Sequence, residues 1–105
     1  MRMMLRVSIP TEAGNAAAKA GTLGSTIERI LADLKPEAAY FYADDHGQRA
    51  GSVVFDMKDT TQIPSVAEPW FFAFGATISL RPVMSAQDLA AGAPAITKAA
   101  QQYGR

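Results

Sequence analysis

Four short segments of the chain are predicted to be β-strands, and in the first and last of them apolar side chains recur at every second position. The clearest runs from Met3 to Ile9 and is ended by Pro10. Ala38 to Ala43, Gly51 to Met57 and Ala76 to Pro82 are the other three. A polar, glycine-containing link joins the second segment to the third, so we expect these two strands to form a hairpin.

Two longer segments between these strands repeat their apolar residues at three- and four-residue steps, the period of an amphipathic helix. The first runs from Glu12 to Leu34 and contains Gly21 and Gly24 near its middle. Because glycine weakens a helix interior, one kinked helix and two abutting helices are both compatible with it. The second runs from Ile63 to Phe74, and Pro69 inside it predicts a bend or a later start.

A last helix is predicted after the fourth strand. Ser85 followed three residues later by Asp88 approximates a capping box, with Asp in place of the usual Glu or Gln. Gly92 and Pro94 lie further along, and we expect them to split this helix into two parts.

The order of elements is strand, helix, strand, strand, helix, strand and a terminal helix. This order is that of the ferredoxin-like βαββαβ fold, an α+β class with a four-stranded antiparallel sheet and its helices on one face. The first and third strands are expected in the middle of the sheet. The 105 residues are enough for one such domain, spanning residues 1–105. The second face of the sheet stays open unless a partner covers it.

The alternation assigns each strand residue to one face of the sheet. We expect Trp70 to be a core residue, because aromatic residues at helical spacing usually pack inside a protein. The predicted core consists of Leu5, Val7, Ile9, Phe41, Val53, Phe55, Met57, Ile78 and Leu80 from the strands, with Ile27, Leu34, Trp70, Phe71 and Phe74 from the helices. The predicted open face is mixed in polarity and consists of Met4, Arg6, Ser8, Tyr40, Tyr42, Ser52, Val54, Asp56, Thr77, Ser79 and Arg81.

The element order, the proline-bounded segment Ile63 to Phe74 and the strand ending in Arg81-Pro82-Val83 together resemble the dimeric α/β-barrel superfamily. The resemblance covers about residues 3 to 82. It implies a homodimer in which two open sheet faces stack, and a small-molecule pocket under the helices or inside the barrel between subunits. Members include cofactor-independent monooxygenases, lactone isomerases, dehalogenase-like proteins and stress-response proteins. It transfers no catalytic residue, because no motif here matches a characterised active site.

Composition excludes several classes of function. Hydrophobic residues make up 49% of the chain and charged residues 19%, the balance of a folded globular protein. Ten basic and ten acidic residues cancel without any basic cluster, which argues against nucleic-acid binding. The absence of cysteine excludes disulfides, thiolate nucleophiles and cysteine-bound metals. No signal peptide or membrane span is apparent, so we expect a cytoplasmic protein that does not enter a membrane.

No cofactor or metal site is predicted. Gly21 to Gly24 lacks the ending of a phosphate-binding loop and does not follow a strand. Asp44, Asp45 and His46 are consecutive, and three consecutive side chains do not easily converge on one ion. His46, the only histidine, is interpreted as a solvated residue of the hairpin turn, although a role as general base is the alternative.

The predicted ligand-binding residues are Arg6, Arg81, Tyr40, Tyr42 and Asp56, all on the open face. Guanidinium and phenol groups there can hold a small anionic or aromatic molecule. Arg81 is expected to matter most, because Asp56 can satisfy only one of the two arginines. The alternative is a network at the subunit interface, with Arg6 paired to Asp56 and no ligand.

Two functional interpretations remain open. In the first, the protein is a non-catalytic homodimeric binding or assembly module, which associates through its open sheet face and holds a small molecule. In the second, it is a cofactor-independent enzyme, monooxygenase- or isomerase-like, acting on a small aromatic or carboxylated substrate. The lone histidine and the lack of an identifiable acid–base pair favour the first.

Overall fold

The computed structural model describes residues 1–105 and shows four strands and four α-helices. A short 3-10 helix, Thr60–Gln62, precedes the third α-helix. In chain order the elements are β1 (Arg2–Ile9), α1 (Thr11–Lys19), α2 (Leu23–Leu34), β2 (Ala38–Ala43), β3 (Arg49–Asp56), α3 (Ile63–Phe74), β4 (Thr77–Pro82) and α4 (Ala86–Tyr103).

The four strands form one antiparallel sheet in the order β2-β3-β1-β4. The first and third strands are central, β2 and β4 are the edges, and the chain has the predicted ferredoxin-like fold with an added C-terminal helix. Leu5 of β1 lies opposite Val53 of β3 and Leu80 of β4, so all three point to the same face. The register places each of the eleven residues predicted for the open face on the other side of the sheet.

The core lies between the sheet and the helices. Trp70, Leu5 and Val53 have no exposed surface, and residues from α2 pack around this centre. Four of the predicted core residues, Ile27, Leu34, Ile78 and Leu80, are partly buried against this core, and two others are exposed. Phe41 is 50% exposed because it lies on the edge strand, where its ring covers Gly51. Phe71 is 41% exposed because it follows Trp70 and turns away from the sheet.

The long stripe of the sequence forms two abutting helices, which is one of the two predicted alternatives. Gly21 adopts a φ of +75° between α1 and α2, a backbone conformation that other residues rarely adopt. The amide of Thr22 donates to the carbonyl of Ala17 at 2.9 Å, which closes the end of α1. The joint therefore depends on a glycine at this position.

The prolines interrupt the helices less than the sequence suggests. Helix α3 contains Pro69 yet begins at Ile63, without the predicted later start. The predicted split of the last helix is wrong, since α4 continues through Gly92 and Pro94. All of α4 is exposed, so water can bond the carbonyl that loses its partner at Pro94.

Helix α4 begins with the predicted capping box and then leaves the rest of the protein. The backbone amide of Ser85 donates to Asp88 at 2.9 Å, and the amide of Asp88 donates to the Ser85 hydroxyl at 3.1 Å. No residue of α4 is buried. The molecule measures 58 × 29 × 20 Å, and its radius of gyration is 17.4 Å. A compact chain of this length would have about 13 Å. None of the helices has the length and hydrophobicity needed to cross a membrane.

Candidate functional site

The centre of the open sheet face carries a guanidinium between two hydroxyls. Arg6 on the central strand β1 lies directly opposite Ser52 of β3 and Ser79 of β4. The next strand outward places Tyr40 opposite Ser52. This row results from the alternation of each strand together with the antiparallel register, which aligns one polar residue from each strand.

A cleft of about 310 Å³ lies on this face, between Arg6 and the hairpin that joins β2 to β3. The small, buried side chain of Ala50 leaves room between the outer strand and the turn. Six side chains can hydrogen-bond into this space or carry charge there, and Tyr42 adds a phenol. These six are Arg6, Ser8, Asp44, His46, Thr77 and Ser79.

The hydroxyl of Tyr42 reaches along β2 toward Arg6. It is 2.6 Å from the hydroxyl of Ser52, in a hydrogen bond that either group can donate. The bond with Ser52, assisted by the nearby guanidinium of Arg6, lowers the pKa of the Tyr42 phenol. The phenol and the guanidinium therefore form one group of donors on the wall of the cleft.

Asp44 holds the hairpin against the central strand. Its Oδ1 accepts the backbone amides of His46 at 2.9 Å and Gln48 at 3.0 Å, and its Oδ2 accepts the hydroxyl of Ser8 at 2.7 Å. These bonds, that from Ser8 first, lower the pKa of the Asp44 carboxyl. Gly47 allows the turn because its φ is +73°. The bonds at Asp44 thus place His46 at the mouth of the cleft.

We expect the hairpin contact to weaken in acid. A carboxyl whose pKa is lowered by folding stabilises the folded form above its unfolded pKa, about 3.9, and this stabilisation is lost as the pH falls through the folded value. The amide proton shifts of His46 and Gln48 should therefore titrate in the wild type with a midpoint below about 3.9. In Asp44→Asn the same shifts should stay constant. A wild-type midpoint at or above the ordinary aspartate value would contradict the Asp44 contacts.

Arg6 has no acidic partner. The two ion pairs of the structure lie elsewhere: the amino group of Met1 with Asp56 at 2.7 Å, and Arg2 with Glu37 at 2.5 Å. The pairing of Arg6 with Asp56, considered above as an alternative, does not form. Asp56 lies opposite Arg2, at the far end of the strand from Arg6. Alternation places both residues on one face, but the register separates them.

The structure brings together two of the five predicted ligand-binding residues. Arg6 and Tyr42 line the cleft, whereas Tyr40, Asp56 and Arg81 lie outside it. Arg81 is on the edge strand opposite Met4, and Tyr40 is 70% exposed. Arg6, rather than Arg81, is therefore the arginine that a molecule in the cleft would meet.

Five polar residues of the cleft are not among the predicted ligand-binding residues: Ser8, Asp44, His46, Thr77 and Ser79. His46 was interpreted as a solvated turn residue, and it is exposed, but the turn lies beside the end of β1. The available signal was the turn itself, in which Asp44 precedes Gly47 by three residues, because an aspartate there commonly binds the amides of its own turn. A fixed turn next to a sheet face supplies side chains to that face.

The structure contains no group of three or more His, Cys, Asp or Glu residues that could hold a metal ion. A second cavity, of about 270 Å³, lies between α2, α3 and the end of β3. Its charged side chains are Asp33 and Asp56, with no cation. An anion is therefore favoured in the cleft at Arg6 and not under the helices.

No protein-family model and no curated protein sequence matches the chain. Among solved structures, the dehydrochlorinase TftG of Burkholderia phenoliruptrix, in complex with 2,5-dihydroxybenzoquinone, is similar with a TM-score of 0.61 and 11% identity, over 83% of this chain and 97% of that one. A formyltetrahydrofolate deformylase of Pseudomonas putida is similar with a TM-score of 0.49 and 18% identity, over 79% of this chain. A formyltetrahydrofolate deformylase of Burkholderia mallei is similar with a TM-score of 0.45 and 16% identity, over 99% of this chain. The matched parts span 29% and 38% of the two deformylases.

Proposed function

We propose that the protein is a homodimeric binding protein that holds a small organic anion in the cleft at Arg6 and Tyr42. The observation that carries this proposal is the unpaired guanidinium of Arg6 on the open sheet face, flanked by Ser52 and Ser79. A cation without an acidic partner, surrounded by hydroxyl groups, matches a carboxylate or phenolate, which accepts several hydrogen bonds at once.

The other groups of the cleft define the size and chemistry of the ligand. The volume of the cleft, about 310 Å³, is at the low end for ligand pockets and suits a molecule of one ring. The oxygens of Asp44 already accept three hydrogen bonds, so this carboxylate repels the ligand less than a free one would. An anionic group near Arg6 with an aromatic body toward Tyr42 fits this distribution of charge.

The proposed second subunit would strengthen ligand binding, because the cleft of a single subunit is open to water. Arg6 and Tyr42 are both exposed, and in contact with water a single ion pair contributes little to binding. Stacking the open faces of two copies would exclude water and strengthen the contact between the anion and the guanidinium. The same stacking would cover Met4 and Val54, the half-buried apolar pair opposite each other at the centre of the face.

Replacing Arg6 by alanine should weaken binding of a small aromatic anion about tenfold to hundredfold, because a charge-assisted hydrogen bond contributes about 1.5–3 kcal/mol. Tyr42→Phe should cost about fivefold, the loss of one neutral bond. Arg81→Ala should have a smaller effect than Arg6→Ala. Arg29→Ala, on the exposed side of α2, is the matched control and should leave the affinity unchanged.

The measurement is a titration by calorimetry, with a panel of benzoate, salicylate and 2,5-dihydroxybenzoquinone as probes and benzamide as the neutral counterpart. Affinity for the anions should fall as the salt concentration rises. Equal binding of benzamide, or an affinity unaffected by Arg6→Ala, would contradict the proposal. Protein-observed NMR locates the ligand. Chemical-shift changes confined to the cavity near Asp33 would also contradict the proposal.

The second candidate function is a cofactor-independent enzyme acting on a small aromatic or carboxylated substrate. It is favoured by one observation, that Tyr42 and His46 line the same cleft and can exchange a proton with a bound molecule. Conversion of a probe by the wild type, lost in Tyr42→Phe or His46→Gln while binding persists, would support it. Binding without conversion would favour the binding protein.

A further inference from the structure

Helix α4 exposes an apolar stripe that its own chain does not cover. Leu89, Ile96 and Tyr103 are 50%, 60% and 81% exposed. They are seven residues apart, which is about two helical turns, so they lie on one side of the helix. Small residues occupy the positions between them on that side, chiefly Ala93 and Ala100. The stripe therefore has the heptad pattern of a helix that packs against another helix.

Without packing, α4 would be a weak helix. It has 18 residues, close to the length at which isolated helices are only marginally stable in water. Gly92 and Pro94 cost a helix interior about 1 and 3 kcal/mol relative to alanine. Pro94 lies on the side away from the stripe, so a partner helix would not touch it. Packing of the stripe against another surface would therefore stabilise α4.

The charges of α4 argue against an acidic surface as that partner. Its charged residues are Asp88 and Lys98. A helix that binds nucleic acid or an anionic membrane surface carries many more basic residues than this. A nearly neutral stripe of Leu, Ile, Tyr and Ala fits a stripe of the same composition, as a second copy of the chain would supply.

The area of the open face points the same way. Four strands of about six residues cover about 20 × 20 Å, or roughly 400 Å². A stable interface buries about 800 Å² on each partner. One side of an 18-residue helix, about 27 Å long and 10 Å wide, adds roughly 270 Å². The sheet face alone is therefore small for a stable dimer, and a helix pair supplies most of the difference.

We propose that the α4 helices of two copies pack against each other in antiparallel orientation through Leu89, Ile96 and Tyr103. Ile96 then meets the same residue of the second copy, and Leu89 meets Tyr103. This arrangement brings Asp88 near Arg105 of the second copy, a residue of opposite charge. A parallel pair would instead place Asp88 beside Asp88 and align the two helix dipoles unfavourably. The proposal rests on the homodimer of the proposed function and adds a second contact to it.

The absence of cysteine allows a direct test by disulfide formation between introduced cysteines. Ile96→Cys alone should form a covalent dimer under mild oxidation. A mixture of Leu89→Cys and Tyr103→Cys chains should form the mixed disulfide, whereas Leu89→Cys alone should not. Ala91→Cys, on the opposite side of α4, is the control and should stay unlinked. Circular dichroism establishes that each variant is folded.

Each other outcome overturns the helix pair. Covalent dimers of Leu89→Cys alone would indicate a parallel pair. At the β2 edge, Leu23, Ile27 and Phe41 line an apolar groove. A disulfide between Ile96→Cys and Phe41→Cys chains would place α4 in that groove. A noncovalent dimer without any α4 disulfide would leave the sheet-face dimer intact and refute the helix pair. A protein that sediments as a monomer would refute both proposals.

A second measurement does not depend on cysteines. Ile96→Asp should raise the dissociation constant of the dimer about tenfold or more, because one buried isoleucine is worth more than one decade of affinity. Ala91→Asp introduces the same charge on the other side of α4 and should leave the constant within about twofold. Equal constants for the two variants would overturn the proposal.

Discussion

Replacing Trp70 by alanine is expected to lower the free energy of unfolding by about 3–5 kcal/mol, the usual cost of truncating a large buried aromatic residue. Trp70 has no exposed surface, and its ring centroid lies 6.4 Å from that of Phe74. Alanine would leave a cavity between α3 and the sheet, lined by side chains that cannot collapse into it. Since domains of this size are stable by only about 5–15 kcal/mol, most of the stability is at stake.

The buried N–H of the Trp70 indole lowers the stability of the folded state, and for this reason two substitutions of Trp70 should differ in their effect. Its Nε1 is buried and has no hydrogen-bond partner. Removing an unsatisfied polar group relieves part of its desolvation penalty. Trp70→Phe should therefore destabilise the protein much less than Trp70→Ala, since it keeps most of the ring and loses the unpaired N–H.

Urea denaturation followed by circular dichroism measures both effects, because the variants lack the only tryptophan and its fluorescence. The protein concentration is held constant, since the stability of a dimer depends on it. Phe72→Ala is the matched control: Phe72 is on the same helix but is 87% exposed, and its loss should cost less than about 0.5 kcal/mol. If the free energy of unfolding of Trp70→Ala lay within about 0.5 kcal/mol of the wild-type value, as expected for a surface substitution, Trp70 would not be a core residue.

The second large effect is expected from Val54→Glu. Val54 lies at the centre of the open face, between Ala38 and Met4 on the neighbouring strands. Stacking two such faces would bury an unpaired carboxylate on each subunit. We expect the dissociation constant of the proposed dimer to rise about a hundredfold or more, because an uncompensated buried charge costs several kcal/mol.

Sedimentation velocity at micromolar concentration measures this change, with Ala32→Glu on the exposed side of α2 as the control. The control should sediment like the wild type. Val54→Glu should sediment as monomers, or as aggregates that form because the open sheet face is no longer covered by a second subunit. A Val54→Glu protein with the wild-type dissociation constant would show that the sheet face is not the interface.

The fold was predictable from the sequence because its apolar residues repeat with two distinct periods, every second residue in strands and every three or four residues in helices. The alternation from Met3 to Ile9 assigned each of these residues of β1 to its correct face, and the stripe from Ile63 to Phe74 gave the correct bounds of α3. Periodicity does not show how far the helices extend over the edge strands of a sheet. Phe41 was therefore assigned to the correct face but not to its correct exposure.

The candidate site was only partly predictable, because it depends on register. Alternation gave the side of the sheet for both Arg6 and Asp56, but pairing across strands placed Ser52 beside Arg6 and Asp56 beside Arg2. The position of His46 depends on the contact between Asp44 and Ser8, two residues 36 positions apart. Such a contact leaves no local pattern.

The helix ends show where local propensity succeeds and where it fails. At Gly21 the backbone conformation itself requires glycine, and the chain breaks into two helices there. At Pro94 the cost of the missing N–H depends on the surroundings, and on an exposed helix water reduces that cost. Sequence alone does not reveal which of the two situations applies.

The two edges of the sheet differ in their resistance to aggregation. The β4 edge ends in Arg81 and Pro82, and a charge and a proline on an edge both oppose the addition of another strand. The β2 edge has the aromatic run Tyr40 to Tyr42 without an internal charge. The charged residues nearest to this run are Glu37 and Asp44, which lie just beyond the two ends of β2, where charges oppose strand addition. The side chain that fixes the hairpin thus also acts as a gatekeeper against amyloid-like strand addition.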